Sequence, residues 1–504
     1  MIGGHNHPGV GGDVLDPFVF ETPEDSTEGT YQRAQQLNKP LWQGCLSSRP
    51  GSFRRLVLWF ALAHILRRTK GLGGKIIPKK NLNGSHRQPL LGCLELSSTH
   101  ANLKRPLSID EFHMNPRHVG FNRTETIITR QNVKFLTQEW VGIAGDIVDF
   151  SSPAVVNGVV YLGSTDGKLY VFNASGCGNS SCNATWTGSA GGSIYSSPAV
   201  VNGVVYVGSN NHQLLTFPAA GCGQSSCAPT WAGLLGGSIL ESSPVVSGGL
   251  VFVGSYDNKL YAFNANGCGN PTCSPVWTGT TGDHVTASPA VFGNVVYVGS
   301  NDHKLYAFQA SGCGNADCPP LWTGATGAPI FESSPTISNG MVYTGSFDGM
   351  VHAFDANGCG APTCSELWSG VTGSLYVDST PAVANGVVYV GSGDGQLYAF
   401  AAAGCGQSKC QPTWIGLGNG FVAAILSSPI VANGVVYVGK NTAQVMAYGA
   451  AGCGRRNCAP LWSGLTNDSI VSSSPAVVDG TLYIGSSDKN DGVHPGRLYV
   501  FTLN

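Results

Sequence analysis

Eight tryptophans, each followed by any residue and then glycine, stand at Trp140, Trp186, Trp231, Trp277, Trp322, Trp368, Trp414 and Trp462. The unit between them, clearest as SSPAVVNGVVYVGS, a turn and LYAF, repeats its proline at positions 153, 198, 244, 289, 335, 381, 429 and 475. The proline spacing is 45 to 48 residues. A strand-rich unit of that period fits a propeller and not a helical solenoid.

Each unit reads as four short strands. The first starts at Ser-Pro, where proline's missing N–H is tolerated. Asn157-Gly158, Asn202-Gly203, Asn339-Gly340, Asn385-Gly386, Asn433-Gly434 and Asp479-Gly480 then form tight hairpin turns, with Gly248-Gly249 and Gly293-Asn294 as variants. Such pairs accept the positive φ that these turns need. The second strand, Val-Val-Tyr-Val-Gly or close to it, is β-branched and aromatic. A turn such as Ser164-Thr165-Asp166-Gly167 leads to the third strand, and the tryptophan strand is the fourth. The strands are apolar without clean alternation, which predicts burial on both faces. Blades sandwiched between neighbours supply that burial.

The array opens with a lone tryptophan strand and closes with a lone third strand, Leu498-Tyr499-Val500-Phe501. Pairing the two shuts the ring and leaves no edge unpaired there. The expected fold is all-β: a single eight-bladed propeller of four-stranded blades over 140–504, its last blade closed by the Trp140 strand.

Fourteen of the 16 cysteines form seven pairs of the form GCGxxxC: Cys177/Cys182, Cys222/Cys227, Cys268/Cys273, Cys313/Cys318, Cys359/Cys364, Cys405/Cys410 and Cys453/Cys458. All lie between a third strand and a tryptophan strand. The missing eighth loop falls where the ends meet. Zinc would need four ligands, and each blade offers two; free thiols are the other alternative. Disulfides that close each loop are the expected state, which places the protein in an oxidising compartment. The Gly-x-Gly of each loop does not open a helix and lacks the third glycine of a dinucleotide site.

Residues 1–139 hold 18 Lys+Arg against 11 Asp+Glu, a net of +7, whereas 140–504 hold 9 against 18, a net of −9. Residues 1–107 lack the repeat and read as a basic, poorly ordered or mis-annotated segment, with 108–139 as a lead-in to the propeller. No aromatic-basic interleaving supports nucleic-acid binding. The apolar run from Leu56 to Leu66 is too short to span a membrane. It also starts too far from Met1 for an ordinary signal peptide. The location expected from the cysteines is extracytoplasmic, secreted or periplasmic, with no clear signal. Cys45 and Cys93 could pair or stay free.

The stretch LYAFNANGCGNPTCSPVWTG, with SSPAVVNGVVYVGS ahead of each such stretch, resembles the pyrroloquinoline-quinone-type propeller repeat over residues 140–504. Residues 108–122, SIDEFHMNPRHVGFN, are similar to the lead-in of exported members. The family includes quinoprotein alcohol dehydrogenases and a propeller lipoprotein of outer-membrane assembly. The resemblance does not carry the cofactor. Quinone-dependent members have adjacent cysteines and long insertions, and this chain has no Cys-Cys and mostly minimal connections. The longer connections are Lys489 to Pro495 and two residues before Pro429.

Propeller ligands sit where the first strands begin and the second-to-third turns lie. The third residue before each proline varies within the otherwise constant framework: Phe150, Tyr195, Glu241, Thr286, Glu332, Asp378, Leu426 and Ser472. Tyr195, Glu241, Glu332 and Asp378, with His284, Tyr256 and Phe347 from neighbouring turns, are the candidate ligand-binding residues. Carboxylates beside aromatics suit a cationic or carbohydrate-like ligand, or a partner surface; the alternative is a solvated rim. The histidines show no metal-ligand spacing, and no nucleophile–base set stands out, so no catalytic or metal residues are assigned. The expectation is a monomeric, non-enzymatic binding module for protein or polysaccharide. It has no cofactor, no nucleic-acid partner and no transmembrane helix. A quinone-dependent alcohol or sugar dehydrogenase is the alternative.

Overall fold

The computed structural model describes residues 109–503 apart from 110, 149, 375, 419–422, 468 and 487–495. The segment 1–107, with Cys45, Cys93 and the run from Leu56 to Leu66, lies outside the described residues, as does the insertion from Lys489 to Pro495. The described chain forms eight sheets, one per repeat. The first blade holds Ala154–Val156, Val159–Gly163, Lys168–Asn173 and Trp186–Ser189, in antiparallel order. The other seven follow the same plan. No helix among the described residues is long and apolar enough to cross a membrane.

The ring closes as the sequence predicts. Arg497–Leu503 pairs on one side with Thr481–Ser486 and on the other with Leu136–Ile143, which puts Trp140 opposite Val500. The core is a set of layers between blades. Between the first and second blades, for example, Tyr161, Leu169 and Val171 meet Val205, Leu215 and Phe217. Both faces of each sheet are therefore dry, and alternation is absent because neither face meets water.

All seven cysteine pairs are disulfides, with Cα–Cα distances of 5.6 to 5.8 Å. The structure adds what the sequence leaves open: the two halves of each bond are unlike. Cys177, Cys222, Cys268, Cys313, Cys359, Cys405 and Cys453 are exposed. Their partners Cys182, Cys227, Cys273, Cys318, Cys364, Cys410 and Cys458 are all buried. These second cysteines belong to the apolar layers between blades: Cys182 packs with Trp140 and Phe172, Cys273 with Trp231 and Phe263, and Cys318 with Trp277 and Phe308. Cys364, Cys410 and Cys458 join the layers of Trp322, Trp368 and Trp414 in the same way. The reason is that each second cysteine lies in or beside the short extended segment laid against a neighbouring sheet, so its sulfur is covered as a core side chain is. The fourteen cysteines are therefore scaffold residues, and half of them are core residues.

The loops do more than shorten a connection. Six add a short strand in parallel to the tryptophan strand of the preceding blade, as Ser226–Cys227 does beside Thr187 and Gly188, and the seventh makes a single parallel bridge from Asp317 to Thr278. For seven of the eight tryptophans the N–H of the following residue donates to a loop carbonyl, from Val141 to Ser180 at 2.9 Å through Ile415 to Arg456 at 2.6 Å. The first glycine of each loop packs on that same tryptophan. A Cβ on Gly221 would lie 3.0 Å from the Trp186 ring, and Gly221 has φ 75°. Glycine is required there on both counts. The second-strand tyrosines tie in as well: the Tyr161, Tyr206, Tyr297, Tyr343, Tyr389 and Tyr483 hydroxyls donate to the alanine carbonyl leading into the next blade's loop, at 2.7 to 3.2 Å.

The serine of each Ser-Pro step has a role the sequence did not reveal. Around the channel every residue before the repeat proline donates its N–H to the side-chain oxygen of its counterpart in the next blade. The series runs Ser152, Ser197, Ser243, Ser288, Ser334, Thr380, Ser428, Ser474 and back to Ser152, at 2.8 to 3.0 Å. These residues are buried. Ser243→Ala strips the acceptor from the Ser197 N–H and should cost about 1–3 kcal/mol. Urea unfolding reads this, and an unchanged midpoint would show the ring to be dispensable.

Three residues further along each first strand, the lead-in crosses the channel. Ile109 bridges Val155; the Glu111 carboxylate accepts from the Val246 N–H at 2.8 Å. The carbonyls of Pro116, Arg117, Val119 and Gly120 then accept from Val291, Ile337, Val383 and Val431, at 2.6 to 2.9 Å. Asn122 donates to the Val477 carbonyl at 2.7 Å. The inner strands would otherwise present unpaired backbone groups, which are costly once buried. His113 and His118 sit inside this layer, and burial pushes their imidazoles down to about 4 and about 3.

Candidate functional site

The channel is layered along the first strands: the lead-in at one level, the serine ring above it, and the third residue before each proline above that. The uppermost level carries the candidate residues, because the constant framework below leaves only these side chains unassigned. Ser472 Oγ donates to Glu332 Oε2 at 2.9 Å, joining the eighth blade to the fifth. Asp378 Oδ1 accepts from the Glu332 N–H at 3.1 Å. These two contacts place the eighth, fifth and sixth blades around one space.

Its electrostatics follow from burial and like charge. Desolvation, and also the Asp378 carboxylate, raise Glu241 to about 7. Glu241 Oε2 is buried with no hydrogen-bond partner among the described residues. Asp378 is 7% exposed, and burial raises it to about 7 against the amide hydrogen bond from Glu332. Tyr256 is held above its ordinary value by burial and then by the charges of Glu241 and Glu332. Its ring stacks on His284 at 4.3 Å, and His284 Nδ1 lies 2.9 Å from Asn258 Oδ1. An aromatic wall adjoins the carboxylates, with Phe347 5.6 Å from Phe331 and 5.7 Å from Tyr376.

The structure thus brings Glu241, Glu332, Asp378, Tyr256 and His284 into one electrostatic neighbourhood. Phe347 belongs to the aromatic wall. Tyr195 instead packs edge-on against Phe150 at 5.6 Å. Sequence reading passed over Phe331, Tyr376 and the bridging role of Ser472. Phe331 and Tyr376 were detectable in principle, since each lies within two residues of a mouth carboxylate. Elsewhere, His352 replaces the tyrosine that in other blades donates to the turn aspartate. It is paired with Asp348 at 3.0 Å and with Glu366. Burial works against its charge, but the two carboxylates win and raise it to about 9. No cluster of His, Cys, Asp or Glu among the described residues could hold a metal ion.

Because Glu241 and Asp378 hold protons up to about pH 7 when folded and release them near pH 4 when unfolded, their burial costs stability as pH rises across that window. Glu241→Gln should match the parent near pH 4 and exceed it by about 1–3 kcal/mol at pH 8. Thermal unfolding at both pH values checks this; a difference independent of pH would contradict it.

Eight four-stranded blades around a plugged channel define the protein as a quinoprotein-like propeller. The sequence profile described as outer membrane protein assembly factor BamB matches residues 132–267 and 266–503, so the chain belongs to that family. No curated protein matches the chain. Among solved structures, BamB from Moraxella catarrhalis is similar at 18% identity and TM-score 0.54, covering 73% of this chain and 97% of that one. A computationally designed protein, Ika8, is similar at 15% identity and TM-score 0.55, covering 73% and 100%. Quinohemoprotein alcohol dehydrogenase from Comamonas testosteroni is similar at 13% identity and TM-score 0.59, covering 79% and 80%. At these identities the likeness establishes the fold.

Proposed function

We propose that the chain is a non-enzymatic, extracytoplasmic binding module that acts as a monomer and holds a protein or polysaccharide through a cationic group seated at the channel mouth. The observation that carries this reading is the Glu241–Glu332–Asp378 group, two of whose carboxyls are raised to about 7. A bound cation would let them ionise, so the free site favours a single sign of visitor. Tyr256 and the wall of Phe331, Phe347 and Tyr376 offer ring faces to the same cation or to a sugar. The seven disulfides support an oxidising location.

The quinone alternative fits these residues poorly. Pyrroloquinoline quinone carries three carboxylates, which would meet like charge from Glu241, Glu332 and Asp378. Calorimetry with short lysine oligomers and with glucosamine oligomers tests the proposal. Binding of either should weaken at least about tenfold in a Glu241→Gln/Glu332→Gln variant and on raising salt. Equal affinity in parent and variant would overturn it, and dye-linked dehydrogenase activity after addition of the quinone and calcium would favour the alternative.

A further inference from the structure

Seven of the eight tryptophan strands are covered on their outer side by the disulfide loop of the next blade. Among the described residues the exception is Trp462–Leu465 of the seventh blade, which ends its sheet and has no loop beside it. The eighth blade has no cysteine loop to cover it, and three independent features register the gap. Ser463 occupies the position whose N–H in the other blades, at Val141, Thr187, Ala232, Thr278, Thr323, Ser369 and Ile415, donates to a loop carbonyl. Among the described residues Ser463 has no such acceptor, and it alone of the eight is exposed. Tyr437, whose counterparts donate to a carbonyl leading into the next loop, has a buried hydroxyl with no partner among the described residues. Trp462, lacking a loop glycine to pack on, has turned over its own Gly464 and meets Phe501 edge-on at 5.4 Å.

The surroundings indicate what would cover such an edge. Leu465 and Phe135 are the most exposed large apolar side chains among the described residues, at 66% and 57%. Both lie here: Leu465 ends the strand, and the turn Val133–Phe135 packs against it. The neighbouring lead-in is basic. Lys134 Nζ lies 4.9 Å over the Phe135 ring, and Arg130 donates to the Gly452 carbonyl at 3.3 Å. The seven covered edges show the geometry that fits: six carry a short strand running parallel to the tryptophan strand, and the one at Trp277 a single parallel bridge from Asp317 to Thr278.

We propose that the outer edge of the seventh blade is a strand-addition site for an extended segment of a partner protein that carries apolar side chains and an acidic flank. Backbone hydrogen bonds from the edge would hold it, Phe135 and Leu465 would take its apolar side chains, and Arg130 and Lys134 its acidic end. This surface is separate from the channel mouth and stands or falls without it.

A usable probe is a disulfide-closed peptide with the sequence of residues 312–321, GCGNADCPPL, the one loop of the seven with an acidic residue between its two cysteines. Added to the full chain, it should bind with one-to-one stoichiometry and slow amide hydrogen exchange at Ser463 and Leu465 by at least about fivefold. Ser463→Pro removes the outward N–H at an edge position that accepts proline, and should abolish binding. Leu465→Ser should weaken it while keeping the edge intact. The proposal is overturned if the Ser463 and Leu465 amides are already protected in the free chain, or if the peptide fails to bind at millimolar concentration. Binding that survives Ser463→Pro would also overturn it. Concentration-dependent dimerisation abolished by Ser463→Pro would do so too, making a second copy of the chain the occupant.

Discussion

A chain ending at Ser486 fails to reach the native ring. Arg497–Leu503 is the strand on which closure depends, because it bonds Thr481–Ser486 on one side and Leu136–Ile143 on the other. Without it the Trp140 strand has no antiparallel neighbour, and two long edges face solvent at once. The apolar layer around Tyr483, Leu498 and Val500 is also lost. The expected product aggregates or unfolds without a cooperative transition, since open apolar edges pair with whatever chain is near. Near-ultraviolet circular dichroism and size-exclusion chromatography distinguish the outcomes. A monomer that melts in one sharp step would mean that the ring closes by some other contact.

Reducing the disulfides should give the next largest effect. Each closes a loop with a sequence separation of 5, and the chain-entropy estimate assigns about 2 kcal/mol to a loop so short. Seven such loops in a domain of this size correspond to a fall in Tm of roughly 10–15 °C. The loss should exceed that of deleting an ordinary surface loop, because each loop also pairs with its neighbour's tryptophan strand and buries one cysteine in the core. Scanning calorimetry with and without a phosphine reductant measures the difference. A shift of a degree or two would show that the loops hold their shape without the covalent bond, and would weaken the argument for an oxidising compartment.

Much of this architecture is legible in the amino-acid order. The tryptophan and proline stride gives the blade count, the Asn-Gly steps give the hairpins, and the lone Trp140 and Leu498–Phe501 strands give the closure. The cysteine spacing gives the seven bonds. The same spacing does not show that each loop reaches back onto the preceding blade, since nothing local encodes a parallel pairing between segments about 40 residues apart, such as Thr187 with Ser226. That pairing is also what sinks Cys182, Cys273 and their counterparts while leaving Cys177 and Cys268 exposed, so the asymmetry of each bond is invisible in the motif. The serine ring is hidden for a similar reason. Ser243 and Ser197 look like two copies of one motif, and only superposing the blades in space makes one the acceptor of the other.

The candidate site was half visible. Comparing the repeats with one another picked out Glu241, Glu332 and Asp378 as positions free of framework duty. The elevated carboxyls of Glu241 and Asp378 came from burial, which depends on how far each side chain is sunk between blades. Tyr195 shows the converse: it sits at an equivalent position and spends its ring on Phe150.

The division has a physical cause. Properties that repeat with the chain, such as strand, turn, burial on both faces and loop chemistry, are fixed by short-range sterics and hydrophobic pattern, and the amino-acid order alone determined them. Properties that arise from blade meeting blade, or once per ring, were decided by the tertiary structure. The lead-in threading the channel, the carboxylates facing one another, and the Trp462 edge that no disulfide loop covers among the described residues all depend on contacts between residues far apart in sequence. Circular closure is what sets which of those residues meet.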